Sequence, residues 1–334
     1  MTVPKPSGRV LRGALSAAAG YGILLFLIVL ALYFDHATGG RFHQADNLHN
    51  IGLQVAINAI LAVGMTFVII TGGIDLSVGS VVGFTGIVAA NTMMNGVAFG
   101  GHTLLAPPTE TTGVFLAFAV ALLLGSAIGT FDGWCITRLN VPPFIATLAM
   151  FTAARGLGYV YTNAVPVGNL PPRLTWWGGA PMIFIAVALV IVGEIVLRRT
   201  RFGRHVYAVG GNEEAARLSG IPVARTKTLV YILVGALAGL AGVLQAARLG
   251  SGDPDAGSLF ELNAIAAVVL GGTSLMGGRG RVVGTLLGVL VIGVLNNGLQ
   301  QIGVSSYWQL VAKGAVILAA VVVDQAKDRL VGAR

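Results

Sequence analysis

The sequence predicts an all-α integral membrane protein of about ten transmembrane helices, with both termini cytoplasmic. Three observations carry that expectation. Of 334 residues, 55% are hydrophobic and only 10% are charged, against about a quarter in an ordinary soluble domain; the mean hydropathy is +0.83. The apolar residues gather into runs near the roughly 20 residues that a bilayer-spanning helix needs. The basic residues fall on one side of the map those runs define. This composition excludes a soluble enzyme and, despite a net charge of +8, a nucleic-acid-binding domain.

Taken in order, the first run is 13–34, preceded by Lys5, Arg9 and Arg12. It is too long for a signal-peptide apolar core, and no small-residue cleavage site follows, so it reads as an uncleaved span. The next runs are 51–70, 77–94, 114–131 and 142–162, the last opened by Pro142-Pro143, since proline suits a first helical turn. Then come 180–198, 228–248, 260–275, 282–302 and 306–323. The connections are too short for a separate soluble domain, so residues 1–334 read as a single transmembrane domain. Its longest cytoplasmic loop covers about 199–227.

An even number of spans with the termini inside places all Lys and Arg in cytoplasmic segments except five: Arg41 and Arg173 in outer loops, and Arg155, Arg248 and Lys313 in spans. Odd parity would put the basic C-terminal tail outside. The 48 glycines fit helices whose backbones approach closely. Cys135, the single cysteine, offers no disulfide framework. Four histidines, His36, His43, His49 and His102, lie in or beside outer loops at spacings matching no metal motif. No metal or catalytic residue is expected. One internal echo, Asn58-Ala59-Ile60 and Asn263-Ala264-Ile265, is too short to establish a duplication.

The chain carries no P-loop, because no lysine follows a glycine: the residues before its lysines are Pro4, Thr226, Ala312 and Ala326. Acidic residues suited to ion coupling are few, Asp75, Asp132, Glu194 and Glu261, all near proposed span ends. An external motor is the simpler expectation, and the loop after the sixth span offers it a docking element. Asn212 is a good N-cap, Glu213 and Glu214 suit a helix start, Gly220 suits the C′ position and Pro222 stops continuation. The resulting helix, 213–219, presents Ala215 and Ala216 beside Leu218 for a close partner surface. An ordinary capped loop helix is the alternative reading.

Four ordered segments then resemble the membrane permeases of bacterial ATP-binding cassette importers for monosaccharides, the ribose permeases above all. They are Ala62–Thr66 leading to Gly73–Ser80; Gly210–Glu213 with Arg217–Ile221; Ala266–Leu275; and Leu295–Leu299 with Gly303–Tyr307. The resemblance runs from about 48 to 324. It implies a type II importer-like permease in a bacterial inner membrane, working as a dimer of identical or related permease chains. It implies a separate cytoplasmic ATPase that binds ATP and Mg, so no cofactor on this chain, and a periplasmic sugar-binding protein; membrane lipid is the remaining partner. It makes 212–220 the coupling helix, with Gly211, Asn212, Glu213, Glu214, Ala215, Arg217, Leu218 and Gly220 as ATPase-coupling residues. One departure is Asn263, where such permeases often carry Asp.

For the translocation path, or a structural break within it, the candidates are Asn58, Asp75, Ser77, Asn296 and Asn297. Asp75, between glycines at a span junction, either caps the third helix with Ser77, lines the path or meets the ATPase. The asparagines, Asn91 included, either line the path or form interhelical hydrogen bonds. Asp253, Asp255 and Glu261 make one outer edge acidic, available to a delivery protein or simply solvated. An ion-coupled carrier working alone is the rival class. A membrane-embedded enzyme lacks any catalytic constellation.

Overall fold

The computed structural model describes residues 8–99, 102–105 and 108–332; Lys5 and Arg334, used in the charge map, lie outside them. Thirteen α-helices follow one another among these residues: α1 (Gly8–Ala37), α2 (Ala45–Ile70), α3 (Val78–Asn95), α4 (Glu110–Arg138), α5 (Pro143–Thr162), α6 (Pro172–Thr175), α7 (Ala180–Arg199), α8 (Arg201–Gly211), α9 (Glu213–Leu218), α10 (Val223–Leu249), α11 (Phe260–Leu270), α12 (Val282–Gln301) and α13 (Ser306–Gly332). Six of them, α2, α4, α5, α7, α10 and α12, are long and apolar enough to cross a membrane. The all-α expectation needs one amendment. The connection between α3 and α4 holds a two-stranded antiparallel hairpin, β1 (Val97–Phe99) and β2 (His102–Leu105).

Helices α2 and α10 are the most enclosed of the six, and they form the centre of the bundle. Small residues let them pack. On α4, Gly125, Gly129 and Gly133 stand at intervals of four and meet α10 backbone at Gly235, Tyr231 and Thr228. A Cβ on Gly125 would run into the Gly235 carbonyl, and one on Gly235 into the Gly125 carbonyl. Without a hydrophobic drive between helices inside lipid, this backbone contact supplies the dispersion energy that holds them. The α2–α12 seam adds polar ties at both ends: Asn297 Nδ2 donates to Asn47 Oδ1 (2.9 Å), and the Thr66 and Thr285 hydroxyls lie 2.8 Å apart.

The expected span 260–275 is shorter in the structure. Helix α11 has 11 residues, about 16 Å at 1.5 Å per residue, roughly half the hydrocarbon core. The preceding segment, 250–259, doubles back along α3. An added Cβ on Gly252 would lie 2.7 Å from Ala90 Cβ, and one on Gly83 would lie 2.7 Å from the Ala256 carbonyl. Near Gly79 the neighbours are the Gly257 carbonyl and the Glu261 carboxylate. The chain therefore re-enters the bundle in irregular conformation and starts α11 partway through. Irregular backbone at that depth needs internal partners. Arg155 of α5 supplies two of them, donating from Nη1 to the carbonyls of Pro254 (2.7 Å) and Ala256 (3.4 Å).

Candidate functional site

Helix α9 is built as its sequence dictates. Asn212 Oδ1 accepts from the Ala215 amide at 2.8 Å. At the other end, Gly220 takes φ +79°, its amide bonds the Arg217 carbonyl, and the Ile221 amide bonds the Ala216 carbonyl, a Schellman closure. Glu213 pairs with Arg217 (3.4 Å) and Lys227, and Glu214 with Arg217 (3.5 Å). Leu218 is 81% exposed at the tip. Ala216 departs from the expected partner surface: it is buried with Val209 and Val223, so only Ala215 of the two alanines faces outward.

Residues 201–211, expected as loop, form the amphipathic helix α8. Thr200 caps it by accepting from the Gly203 amide at 3.2 Å. Phe202, Val206 and Val209, spaced four and three apart, supply its inward stripe; that spacing was the available signal. Helix α8 is clasped to the membrane helices. A Cβ on Gly210 would run into the Ile70 carbonyl at the end of α2, and would lie 2.7 Å from the Gly278 amide. That amide donates to Ile70 O at 2.8 Å. Tyr207 donates its hydroxyl to the Gly280 carbonyl at 2.7 Å. Gly277 and Gly278 take φ of +82° and +72°, which makes the tight turn cheap. Thus α9, α8, the end of α2 and the 271–281 segment form one connected body.

The end of α2 leads directly into the break at 71–77. Gly72 takes φ +79°. Asp75 Oδ1 accepts from the Ser77 amide (2.8 Å) and hydroxyl (2.7 Å). Ser77 Oγ also stands 3.4 Å from Asp132 Oδ2 on α4. Thr147 of α5 donates to the Ile74 carbonyl at 3.3 Å. Asp75 and Asp132 are both buried. Neither has a salt bridge among the described residues. Asp132 Oδ1 and the Tyr231 hydroxyl, which abuts Gly73, have no hydrogen-bond partner there either. A buried carboxyl pair bridged by a single hydroxyl is a costly arrangement inside a bundle. Sequence reasoning named Asp75 and Ser77 but not Tyr231, because a tyrosine on an apolar helix carries no marker of its neighbours.

The asparagines divide. Asn297 makes the interhelical bond described above, and Asn91 Nδ2 donates to the Tyr161 hydroxyl (2.8 Å) across α3 and α5. Asn58 Nδ2 bonds the Gln54 carbonyl of its own helix at 2.9 Å, and its Oδ1 is unpartnered. Asn296 Oδ1 is likewise buried without a partner. Glu194 caps α12, its Oε2 accepting from the amides of Val282 (2.9 Å) and Val283 (3.3 Å). Glu261 does not belong to an acidic outer edge: it is 6% exposed at the start of α11, against α3. Asn263 is buried on the same helix. Asp255 accepts from the Tyr159 hydroxyl at 2.5 Å. No group of three or more His, Cys, Asp or Glu suited to a metal occurs among the described residues.

A helical bundle with six membrane-length apolar helices, a re-entrant segment and an exposed helix clasped to one end defines a polytopic membrane permease. Residues 47–321 match the family described as "Branched-chain amino acid transport system / permease component", and the chain belongs to that family. It is 45% identical over 316 residues to the ribose import permease protein RbsC of Escherichia coli (strain K12), covering 92% of this chain and 93% of that one. It is 44% identical over 315 residues to the RbsC of Bacillus subtilis (strain 168), covering 92% of each. Similarity to the xylose transport system permease protein XylH of Escherichia coli (strain K12) is 35% over 370 residues, with 91% of each chain covered. No solved structure matches the chain.

Proposed function

We propose that this chain is the permease subunit of an ATP-binding cassette importer and forms the translocation pathway for ribose. The observation that carries the coupling role is the capped, ion-paired helix α9, held by α8 against the end of α2 and the 271–281 segment. A push on α9 from a cytoplasmic ATPase would reach the 71–77 break through α8, its Gly210 contact with Ile70 and the Phe202–Phe67 ring stack. Ribose is favoured over xylose by the identity of 44–45% to ribose permeases against 35% to a xylose permease.

In this reading the chain spans the cytoplasmic membrane about ten times as one domain with both termini inside. A second permease chain completes the pore. ATP and Mg belong to the ATPase, a periplasmic binding protein delivers the sugar, and this chain performs no chemistry of its own. The buried, unpartnered oxygens of Asn58 and Asn296 would supply sparse polar lining once the path opens, suited to a path that must release its cargo. The test is uptake of radiolabelled ribose into proteoliposomes containing the chain, its ATPase and its binding protein. Uptake that requires ATP and all three supports the reading. Stimulation of the ATPase only by binding protein loaded with another sugar replaces the substrate and keeps the class.

A second reading, an ion-coupled carrier, draws on the buried Asp75–Asp132 pair. It requires gradient-driven uptake by the chain alone, and such uptake would displace the first reading.

A further inference from the structure

We propose that the cavity between the end of α4 and the start of α10 is a binding site for the phosphate headgroup of an anionic phospholipid of the cytoplasmic leaflet. The cavity has a volume of about 530 Å³ and is lined by Arg138, Arg217, Arg225 and Lys227, with Asn140 and Glu213. Its charges are unevenly matched. Arg217 and Lys227 are engaged by Glu213 and Glu214. Arg138 and Arg225 have no ionic partner among the described residues, and both are exposed. Two uncompensated guanidinium groups at one opening suit a phosphodiester, which arginine can hold with two parallel hydrogen bonds.

The surroundings select a lipid over a soluble anion. Positions 131, 134 and 138 share one face of α4 at helical spacing. Phe131 and Trp134 are half-exposed, their ring centroids 6.2 Å apart, and Arg138 follows one turn beyond. Leu139, Phe144 and Ile145 continue the exposed apolar surface around the turn into α5. Aromatic side chains at the headgroup level, with a cation just beyond them, form the pattern by which membrane helices hold anionic lipid. Acyl chains would lie along Phe131 and Trp134 while the phosphate enters the cavity. Helix α9 forms one wall, through Glu213 and Arg217, so an occupied site braces the coupling helix from behind and leaves Leu218 free. The proposal rests on assigning this end to the cytoplasmic side.

The test is equilibrium binding of radiolabelled phosphatidylglycerol and phosphatidylcholine to the purified chain in detergent, which needs neither transport nor the ATPase. Phosphatidylglycerol should bind at least tenfold tighter, and raising salt from about 0.1 M to about 1 M should erase the preference. The double variant Arg138→Gln/Arg225→Gln should weaken phosphatidylglycerol binding about 30-fold, equivalent to about 1 kcal/mol for each charge at 1.4 kcal/mol per tenfold. Arg138→Lys/Arg225→Lys should retain most of it. Equal binding of the two lipids by the wild-type chain would overturn the proposal, whatever the variants do. So would glycerol phosphate competing as well as the whole lipid, which would make the cavity a soluble-anion site. Lipid binding unchanged in the Gln variant, with loss of ATPase association instead, would assign the arginines to acidic groups of that partner.

Discussion

Gly210 and Gly211 are neighbours at the end of α8, yet the structure assigns them opposite sensitivities. A methyl group at Gly210 would run into the Ile70 carbonyl and stand 2.7 Å from the Gly278 amide nitrogen, roughly 1 Å inside normal contact distance. Both obstacles are backbone, so α8 itself must move. Overpacking of this kind costs about 1–3 kcal/mol, and separating Gly278 from Ile70 forfeits a hydrogen bond worth about 1 kcal/mol. The clasped arrangement should therefore lose about 2–4 kcal/mol, a factor of 30 or more in its population. Nothing lies within 4 Å of a methyl at Gly211, and alanine suits a helix better than glycine by up to about 1 kcal/mol. In ATP-dependent uptake assays at matched membrane abundance, Gly210→Ala should lower transport at least tenfold while still binding the ATPase, because the outer face of α9 is untouched. Gly211→Ala should transport normally. Wild-type uptake by Gly210→Ala, or an equal loss in both variants, would refute the idea that α8 transmits motion through this contact.

Further outcomes follow from the same geometry. Glu213→Lys/Glu214→Lys would set two added cations beside Arg217 and Lys227. Exposed pairs are worth under about 1 kcal/mol each, so folding should survive in a detergent melting assay while ATP-driven uptake stops. Asn297→Leu removes the tie to Asn47 and should lower bundle stability by about 0.6–2 kcal/mol, read as a lower detergent Tm. Asn58→Ala loses only a bond to its own helix; stability should hold, and any fall in ribose uptake then reports on the path. Arg155→Gln releases the carbonyls of Pro254 and Ala256. It should cost about 1.5–3 kcal/mol and speed proteolysis near 250–259.

Features set by local rules were readable in the sequence, and features set by distant contacts were not. The α9 helix was fully specified by Asn212, its two glutamates and Gly220, because a cap and a Schellman closure need only neighbours. The long apolar helices were visible from run length. The start of α11 was not, since the apolar pattern from 260 onward gives no sign that 250–259 folds back on α3. That fold depends on Gly79 and Gly83 accepting the backbone of residues 254–257 against them, a property that appears only in three dimensions. Glu261 failed for the same reason: beside Asp253 and Asp255 in sequence it reads as part of an acidic rim, but the re-entrant segment carries it inward. Arg155 stands in an apolar run with no partner visible nearby in sequence, because its partners, the carbonyl oxygens of Pro254 and Ala256, lie about a hundred residues away.

Backbone contact also explains how motion at α9 could reach the bundle interior without a wire of specialised side chains. Helix α8 meets Ile70 and 277–280 through the glycine contacts of Gly210 and Gly211 and through the Tyr207 hydroxyl, while a main-chain hydrogen bond joins Gly278 to Ile70. A carbonyl and an amide are present at every such position, so what the sequence must provide is the absence of a Cβ at Gly210 and positive φ at Gly277 and Gly278. Beyond Ile70 the chain enters the Gly72–Ser77 break, where Asp75, Ser77, Asp132 and Tyr231 gather polar groups that are incompletely satisfied. Such a junction gains little from staying in one arrangement and loses little on exchanging partners. With α9 as the coupling helix, a rigid clasp feeding a loosely satisfied break would carry displacement as far as Ile70 and turn it into rearrangement immediately after it.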